Sequence, residues 1–177
     1  MQRAEAPPRR LDAVEAAALA PALADVLVDC VAGGASVSFM APLAPARALA
    51  FWQGVAAGVA AGDRALFVVE EAGRVLGTVQ LLLGMPENQP HRAEIAKMLV
   101  RQAARGRGIG TALMRAAEAL ARAEGRRLLV LDTAEGGAGE RLYRRLGWVA
   151  LGTIPNFALY PDGRPCGSTF FYRDLGA

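Results

Sequence analysis

Apolar residues recur at helical spacing in two stretches near the start of the chain. Residues 16–31 are rich in Ala and Leu and are followed by two consecutive glycines, a frequent helix ending. Residues 44–61 place Pro45 at a plausible first turn and repeat an apolar side chain every three or four residues. The pattern predicts two helices here, and residues 9–14 before them fit a first strand.

The middle of the chain alternates between β-rich runs and short polar segments. Residues 65–70 and 75–83 are rich in Val and Leu, and residues 71–74 between them have the length and chemistry of a hairpin turn. A polar loop with two prolines spans 85–90, and a further apolar run covers 93–100. The pattern predicts a meander of at least three antiparallel strands.

A glycine-rich loop joins the third of these strands to an amphipathic segment. Residues 111–124 carry apolar side chains on one helical face and end before Gly125. Residues 128–131 are continuously apolar, which predicts a strand buried on both faces. Strand, loop, helix and strand in this order form a right-handed crossover with a parallel strand pair.

Three further elements complete the predicted fold. Residues 139–146 predict a short helix that ends at Gly147, and residues 148–154 and 168–173 predict closing strands around a loop that contains Pro and Gly. We therefore predict a single domain over residues 1–177. Its fold class is α/β (α+β), with a mixed, mostly antiparallel sheet flanked by helices.

Composition limits the class of protein before any motif is considered. The chain has 177 residues, 53% of them apolar, and yet no apolar stretch reaches the roughly 18 residues that a membrane span needs. Residues 1–10 do not resemble a secretory signal, so we expect a cytoplasmic protein without membrane contact. Cys30 and Cys166 stand far apart and without ligand spacing, which predicts free thiols and neither a disulfide nor a metal site.

The positive charge of the chain is concentrated in one region. Residues 101–145 hold ten arginines against five acidic residues, although the net charge of the whole chain is only +3. Such a region attracts phosphorylated ligands or nucleic acid. A nucleic-acid site usually adds aromatic residues between its basic ones, and only Tyr143 lies in this region, so we do not expect nucleic acid as the partner.

The segment Arg105-Gly106-Arg107-Gly108-Ile109-Gly110 follows a predicted strand and precedes a predicted helix. A loop in this place directs several backbone N–H groups outward at the positive end of the helix dipole, and glycines let a phosphate approach closely. A turn that serves only chain reversal is the alternative. The loop lacks the Lys-Ser/Thr ending of an ATP site and the acidic residue about 20 positions later of a dinucleotide site, so both cofactors are disfavoured.

On these residues the sequence resembles the GNAT superfamily of N-acetyltransferases. The acetyl-CoA signature of that family, Gln/Arg-x-x-Gly-x-Gly/Ala, reads Arg105-x-x-Gly108-x-Gly110 here. The segment Leu142-Tyr143-Arg144-Arg145-Leu146-Gly147-Trp148 is similar to the family's Leu-Tyr-x-x-x-Gly-Phe. The resemblance covers most of the chain beyond residue 65.

Further segments are similar to the tabtoxin-resistance-type branch of the family. They are His91-Arg92-Ala93-Glu94, Leu131-Asp132-Thr133 and the tail 155–163. The sequence departs from the family where Gly136 and Gly139 replace the usual Asn and Ala. We therefore do not carry over the cofactor contact that the family assigns to that Asn, and the two glycines predict a more mobile loop at 136–139.

The resemblance implies a GNAT-like fold in which a parallel strand pair splays around acetyl-CoA, with acetyl-CoA as cosubstrate and no metal. It implies direct transfer of the acetyl group from the thioester to a neutral amine, with the thioester carbonyl polarised by a backbone N–H near residues 98–100. The residues that it assigns to acetyl-CoA are Met98, Leu99, Val100, Arg105, Gly106, Arg107, Gly108, Ile109, Gly110 and Thr111.

Three side chains are the candidates for proton transfer. Tyr143 matches the position of the family's general acid, and a phenol stays protonated at neutral pH; packing under the sheet is its alternative role. Glu94 and Asp132 lie on the two strands that flank the cofactor slot, where each could hold a cationic amine or act as the base, directly or through water. Both could instead be solvated carboxylates, and His91, the only histidine, is a further candidate base.

These expectations favour an N-acetyltransferase that acts on a primary amine of a small molecule, such as an amino-acid-like compound or an antibiotic. Acetylation of a protein or aminoacyl-tRNA amine is an alternative that would use the arginine-rich region. A non-catalytic acyl-CoA-binding domain is the other. The sequence leaves the oligomeric state open, a homodimer included.

Overall fold

The computed structural model describes residues 7–176. Residues 1–6 and 177 of the predicted domain lie outside the described residues. Most of residues 1–10, in which we expect no secretory signal, therefore lies outside them as well. The elements in chain order are β1 (Arg9–Leu11), α1 (Ala13–Ala32), α2 (Pro45–Ala60), β2 (Arg64–Glu71), β3 (Arg74–Leu82), β4 (Arg92–Val100), α3 (Ile109–Ala123), β5 (Leu128–Ala134), α4 (Ala138–Arg145), β6 (Val149–Leu159) and β7 (Pro165–Asp174).

The strands of residues 7–176 form one sheet in the order β1-β2-β3-β4-β5-β7-β6. β4 and β5 are parallel, and every other neighbouring pair in this sheet is antiparallel. The predicted mixed, mostly antiparallel sheet with one parallel pair is therefore confirmed. The hairpin at residues 71–74 and the crossover through α3 are also present as predicted.

The parallel strands β4 and β5 pair only over their first residues. The register joins Arg92 to Leu128 and ends with Glu94 opposite Val130. Beyond this point β4 continues along β3, and β5 continues along β7. The two strands thus separate and leave an open slot in the middle of the sheet.

A β-bulge shapes the β4 side of this slot. Thr78 pairs with Leu99 and Gln80 pairs with Ala96, so two residues of β4 lie opposite the single residue between Thr78 and Gln80. Lys97, one of the two, has a φ of 47°, a left-handed conformation that a lysine seldom adopts. The bulge interrupts the ladder and turns the backbone of β4 toward the slot.

The first strand is shorter than predicted because a helix cap interrupts it. Asp12 accepts a hydrogen bond from the backbone N–H of Glu15 (2.8 Å), and Glu15 accepts one from the N–H of Asp12 (3.0 Å). This reciprocal pair is a capping box, and it starts α1 at Ala13. The predicted strand 9–14 therefore ends at Leu11.

Two predictions, one about the length of β6 and one about the burial of β5, were wrong. β6 does not stop before Pro155 but continues to Leu159, because it is an edge strand whose register shifts between Ile154 and Ala158, and Pro is tolerated in such a place. In β5, only Leu129 and Leu131 of the apolar run 128–131 are buried, so the strand alternates and is not buried on both faces.

The sheet separates two hydrophobic clusters. Alternate residues of β2 point to opposite faces: Leu66 packs with α1 and α2, whereas Phe67 packs with α3. The helices thus form a layer on each face, with the separated part of β4 and β5 accessible between them. In residues 7–176, none of the helices has both the length and the apolar character to cross a membrane.

Candidate active site

The loop before α3 is built to present backbone N–H groups. Gly106 and Gly108 have positive φ values of 78° and 88°, which glycine adopts at little cost. Gly108 is the N-terminal cap, and the first bond of the helix runs from the N–H of Ala112 to the carbonyl of Gly108 at 3.0 Å. The N–H groups of the preceding residues 109–111 are therefore not used within the helix.

A cavity of about 560 Å³ lies in front of this loop, and we call it the loop cavity. Six residues of the predicted loop site line it, namely Arg105, Gly106, Gly108, Ile109, Gly110 and Thr111, together with Met98, Leu99 and Val100 of β4. Arg107 is directed elsewhere: its guanidinium lies 3.1 Å from Oε2 of Glu71 on β2. The cavity also takes in Arg145 of α4, so cationic side chains from two elements face it.

The segment that precedes α4 forms another wall of the loop cavity. Glu140 accepts a hydrogen bond of 2.6 Å from the N–H of Gly136, and Arg141 donates one of 2.7 Å to the Gly136 carbonyl. These bonds tie Gly136 to α4, and the greater mobility expected of the loop at 136–139 stays a prediction. A Cβ on Gly139 would lie 2.7 Å from Oγ1 of Thr133, so the glycine at this position makes room for the threonine hydroxyl.

A second cavity, of about 630 Å³, continues from the first along the slot, and we call it the carboxylate cavity. Glu94 and Asp132, both predicted site residues, line it. Six residues line both cavities, namely Ser36, Val37, Met98, Thr133, Ala134 and Tyr143. The slot between β4 and β5 therefore holds two connected compartments, and Tyr143 stands where they meet.

The two carboxylates are held by different partners. Oδ2 of Asp132 accepts a hydrogen bond of 2.6 Å from the hydroxyl of Ser168 on β7. Oε1 of Glu94 forms an ion pair of 2.5 Å with Arg92, two residues earlier on the same strand. Asp132 is exposed, and Glu94 is half-buried, so both can meet a ligand from the cavity.

Tyr143 is buried, with 5% of its surface exposed. Its ring packs against Trp148 and Phe171 at centroid distances of 6.0 and 5.9 Å. Burial, and in second place the charge of Asp132, raises the pKa of Tyr143 above the ordinary value of a phenol. The phenol is therefore protonated throughout the neutral range.

The profile of the acetyltransferase (GNAT) family matches residues 33–148, about two thirds of the chain. This chain belongs to that family. The segment matched runs from the end of α1 to Trp148, and it contains both strands of the slot, the glycine loop and Tyr143. The prediction of family and fold is thus confirmed. As a member of the family the protein is an acetyltransferase, and acetyl-CoA is its acyl donor.

Solved structures with the same fold include several acetyltransferases. An N-acetyltransferase from Staphylococcus aureus Mu50 has a TM-score of 0.78 at 22% identity, covering 96% of this chain and 98% of that one. A GCN5-related N-acetyltransferase from Kribbella flavida has a TM-score of 0.75 at 26% identity, with 94% and 97% covered. A phosphinothricin acetyltransferase from Sinorhizobium meliloti in complex with acetyl-CoA has a TM-score of 0.76 at 22% identity, with 96% and 89% covered.

The loop cavity of this acetyltransferase suits the phosphates of acetyl-CoA. Gly108 and the first residues of α3 line the cavity, where a helix N-terminus favours anions, and Arg105 and Arg145 also line it. The loop cavity and the carboxylate cavity share Tyr143 in their lining. Within residues 7–176, three or more His, Cys, Asp or Glu side chains do not gather anywhere in a group that could hold a metal ion.

Sequence reasoning missed two charged residues that line the site, namely Arg145 of α4, in the loop cavity, and a lysine of β4. Lys97, the only lysine of the chain, lines the carboxylate cavity. Its ammonium lies 3.0 Å from Oγ of Ser38 and 5.8 Å from the centre of the Phe51 ring. Burial lowers the pKa of Lys97, and the charge of Asp132 partly opposes that effect. Lys97 lies in the bulge of β4, and the sequence does not reveal where that bulge is.

The remaining sequence candidates lie in different surroundings. His91 is exposed in the turn before β4, beside the paired end of the slot. Cys30 and Cys166 are buried free thiols, as predicted, and line the loop cavity and the carboxylate cavity, respectively. The structure thus brings Glu94, Asp132 and Tyr143 to one slot and leaves His91 outside it.

Proposed function

We propose that this acetyltransferase transfers the acetyl group of acetyl-CoA to a primary amine of a small molecule, an amino-acid-like compound or an antibiotic. One observation carries the proposal: the carboxylate cavity opens directly onto the loop cavity at Tyr143 and contains two carboxylates. A cationic amine that enters it meets negative charge next to the inner end of the donor site. Cytoplasmic location, a single domain over residues 1–177 and the oligomeric state, a homodimer included, stay predictions.

The donor is held by the residues of the glycine loop and the end of β4. The N–H groups of residues 109–111 and the guanidinium of Arg105 bind phosphate oxygens, and the backbone of Met98, Leu99 and Val100 flanks the reacting end. When bound, acetyl-CoA supplies an acetyl thioester activated for attack by an amine. The bulge at Lys97 interrupts β-pairing near Met98, which supports a backbone N–H there as the donor to the carbonyl oxygen.

Asp132 and Glu94 attract the ammonium group of the acceptor, and one of them takes its proton. Asp132 is the stronger candidate because Ser168 holds its carboxylate in one orientation and its charge reaches Tyr143. Glu94 already forms an ion pair with Arg92 at 2.5 Å, so an amine must compete with that guanidinium for its carboxylate. We assign attraction of the amine to both residues and proton removal to Asp132.

Tyr143 donates a hydrogen bond to the leaving sulfur. Because its pKa is raised, full proton transfer from the phenol to a thiolate is unfavourable in the ground state, since an ordinary thiol has a pKa of about 8.5. A buried donor still stabilises the negative charge that develops on sulfur as the C–S bond breaks. The phenol then passes its proton to the sulfur, and the proton that Asp132 took from the amine returns to the phenolate, which makes the overall transfer favourable. Tyr143 thus acts as the general acid late in the reaction.

The loop between α1 and α2 covers part of the carboxylate cavity, and this favours a small acceptor. This loop is tied to the end of β6: Ser36 donates a hydrogen bond of 2.8 Å to the Leu159 carbonyl, and the N–H of Ala41 donates one of 3.0 Å to Pro161. Lys97 adds one cation opposite the carboxylates, which suits an amine that also carries an anionic group. The fold shared with a phosphinothricin acetyltransferase supports the same class.

The test is a screen of purified protein with acetyl-CoA and a panel of amines, in which released CoA thiol is measured. The panel contains amino acids and phosphinothricin, their decarboxylated counterparts, an aminoglycoside, a peptide with a free N-terminus and aminoacyl-tRNA. Turnover of amino-acid-like amines above their decarboxylated counterparts is expected. Thiol release only with the peptide or tRNA would favour the macromolecular alternative, and acetyl-CoA binding without release would favour a binding domain.

A further inference from the structure

Glu118 of α3 is a buried carboxylate that the proposed reaction does not use. It is 5% exposed, although the other buried residues of this helix are all apolar. Oε1 accepts a hydrogen bond of 2.9 Å from Nε1 of Trp148, and Oε2 lies 3.3 Å from Nε of Arg173. A buried carboxylate is stable only with such partners, and removing it leaves an indole N–H and a guanidinium without theirs.

Both partners of Glu118 contact the segment that carries Tyr143. The backbone N–H of Trp148 donates a hydrogen bond of 3.0 Å to the carbonyl of Tyr143, and the rings of the two residues are in contact. Nη1 of Arg173 donates a hydrogen bond to the carbonyl of Leu146, the residue that caps α4. Glu118 is therefore one contact away from both ends of the segment 143–148.

α4 depends on such contacts for its position. It has only eight residues, and Gly137 at its start provides no side-chain cap. A helix of two turns is marginal on its own, so tertiary contacts decide where it lies. The contact at its inner side is close but apolar: a Cβ on Gly110 of α3 would come within 3.1 Å of Cδ2 of Leu142.

We propose that Glu118 is a positioning residue for Tyr143. Through Trp148 and Arg173 it fixes α4 to α3, and α3 begins at the glycine loop that frames the loop cavity. The phenol is thereby held at a set distance from the donor site. This inference rests on the proposed role of Tyr143 as general acid.

The test is a double-mutant cycle of Glu118→Gln and Tyr143→Phe. Thiol release is measured with the most active amine of the panel and, separately, with water as the only acceptor. Glu118→Gln keeps the shape and one acceptor but removes the charge that holds Arg173. It is expected to lower kcat about tenfold, because even a small displacement of a reacting group from its productive position slows the reaction. The KM for acetyl-CoA should change less than about twofold.

The cycle separates positioning from general stability. In the Tyr143→Phe background, Glu118→Gln should cause no further loss of kcat, since the hydroxyl that it positions is absent. A purely structural ion pair would lower kcat by the same factor in both backgrounds, and that result would overturn the proposal. Glu124→Gln, an exposed carboxylate at the end of the same helix, is the matched control and should leave kcat unchanged.

A second variant covers the case in which Glu118→Gln does not fold. Trp148→Phe keeps an aromatic ring next to Tyr143 and removes the N–H from which Glu118 accepts, together with part of the indole volume. It should give the same pattern in the cycle, and failure of both variants to fold would assign the cluster to stability alone and overturn the proposal. If Tyr143→Phe itself turns over like the parent, the acid assignment fails, which is a different outcome from additivity of the two substitutions.

Discussion

The hydroxyl of Ser168 donates a hydrogen bond of 2.6 Å to Oδ2 of Asp132. Ser168 is buried on β7, whereas Asp132 is exposed to the carboxylate cavity on β5. A hydrogen bond to a charged acceptor is stronger than one between neutral groups, so it fixes the side chain of a residue that would otherwise rotate in solvent. The orientation of the proposed base therefore depends on a residue of the neighbouring strand.

Asp132→Asn is expected to lower kcat/KM for a cationic amine about a hundredfold and to leave acetyl-CoA binding unchanged. Glu94→Gln should cost less, because that carboxylate is already paired with Arg92. Initial rates across pH 6–9.5 check this: if Asp132 is the base, the variant recovers as more of the acceptor becomes free amine. Parent-like activity of both variants with the true acceptor would contradict the carboxylate mechanism and leave His91 or water as proton acceptor.

Ser168→Ala isolates the orientation of Asp132 from its charge. We expect a loss in kcat of about tenfold with little change in KM for the amine, since the carboxylate stays in the cavity but is no longer held. Thr153→Ala is the matched control, because its hydroxyl likewise bonds to a side chain of a neighbouring strand, in this case to that of Thr169 on β7 at 2.8 Å and not to Asp132. Equal effects of the two substitutions would reduce Ser168 to a packing residue.

Tyr143→Phe removes one hydroxyl and keeps the ring contacts with Trp148 and Phe171. Turnover should fall about a hundredfold or more while the affinity for acetyl-CoA stays the same. In the parent enzyme, the raised pKa of Tyr143 means that activity should not decline by ionisation of this phenol at pH 9–10, where an ordinary tyrosine begins to ionise. An alkaline loss in the parent that is absent from a residual Tyr143→Phe activity would contradict this.

Patterns of sequence predicted those parts of the fold that local chemistry decides. The turn at 71–74, the glycine ends of the helices and the crossover through α3 follow from residues close together in the chain. The length of β6 could not be predicted in this way, because Pro155 reads as a strand end unless the strand is known to lie at the edge of the sheet.

Sequence reasoning pointed to those candidate site residues that belong to a recognisable motif, and it missed residues that do not. The loop 105–110 and Tyr143 stand in recognisable segments, although their roles stay predictions. Lys97 enters the cavity because the register of β3 and β4 shifts at that point, and no local pattern encodes a register. No local pattern distinguishes Glu118 from a solvated helix residue, because its partners Trp148 and Arg173 are distant in sequence.

Gly108→Asp should abolish measurable binding of acetyl-CoA. It places a carboxylate where a phosphate binds, and it forces a side chain into a φ of 88°. Backbone strain of about 1–2 kcal/mol accompanies any side chain at such a position. Gly125→Asp is the matched control: Gly125 ends the same helix with a φ of 70°, and a Cβ there meets no atom within 4 Å.

Titration calorimetry of both variants with CoA separates charge from strain. Gly125→Asp should lose stability but keep parent-like affinity, and Gly108→Ala should show an intermediate affinity. The parent's affinity should fall as salt is raised, because Arg105 and Arg145 contribute through charge. A folded Gly108→Asp variant with parent affinity would show that the phosphates bind elsewhere.

Lys97 gives the last prediction, because it is the only lysine of the chain and its titration can be followed alone. Burial disfavours its ammonium form and lowers its pKa in the folded protein below the ordinary value of about 10.4. Below the folded-state pKa, the lysine is charged in both states, and the folded protein carries the whole cost of burying it. As pH rises through that pKa toward the ordinary value, the unfolded chain holds more protons than the folded one, so the free energy of unfolding increases with pH.

Lys97→Met removes this dependence: it should raise Tm at pH 7 by about 2–4 °C, as a change of about 1 kcal/mol does in a domain of this size, and the difference should shrink by pH 10. Reductive methylation with a 13C label and NMR gives the pKa of Lys97 directly, with the α-amino group as the internal reference. An ordinary pKa in that spectrum, together with the same pH dependence of Tm in parent and variant, would show that the cavity does not desolvate the ammonium.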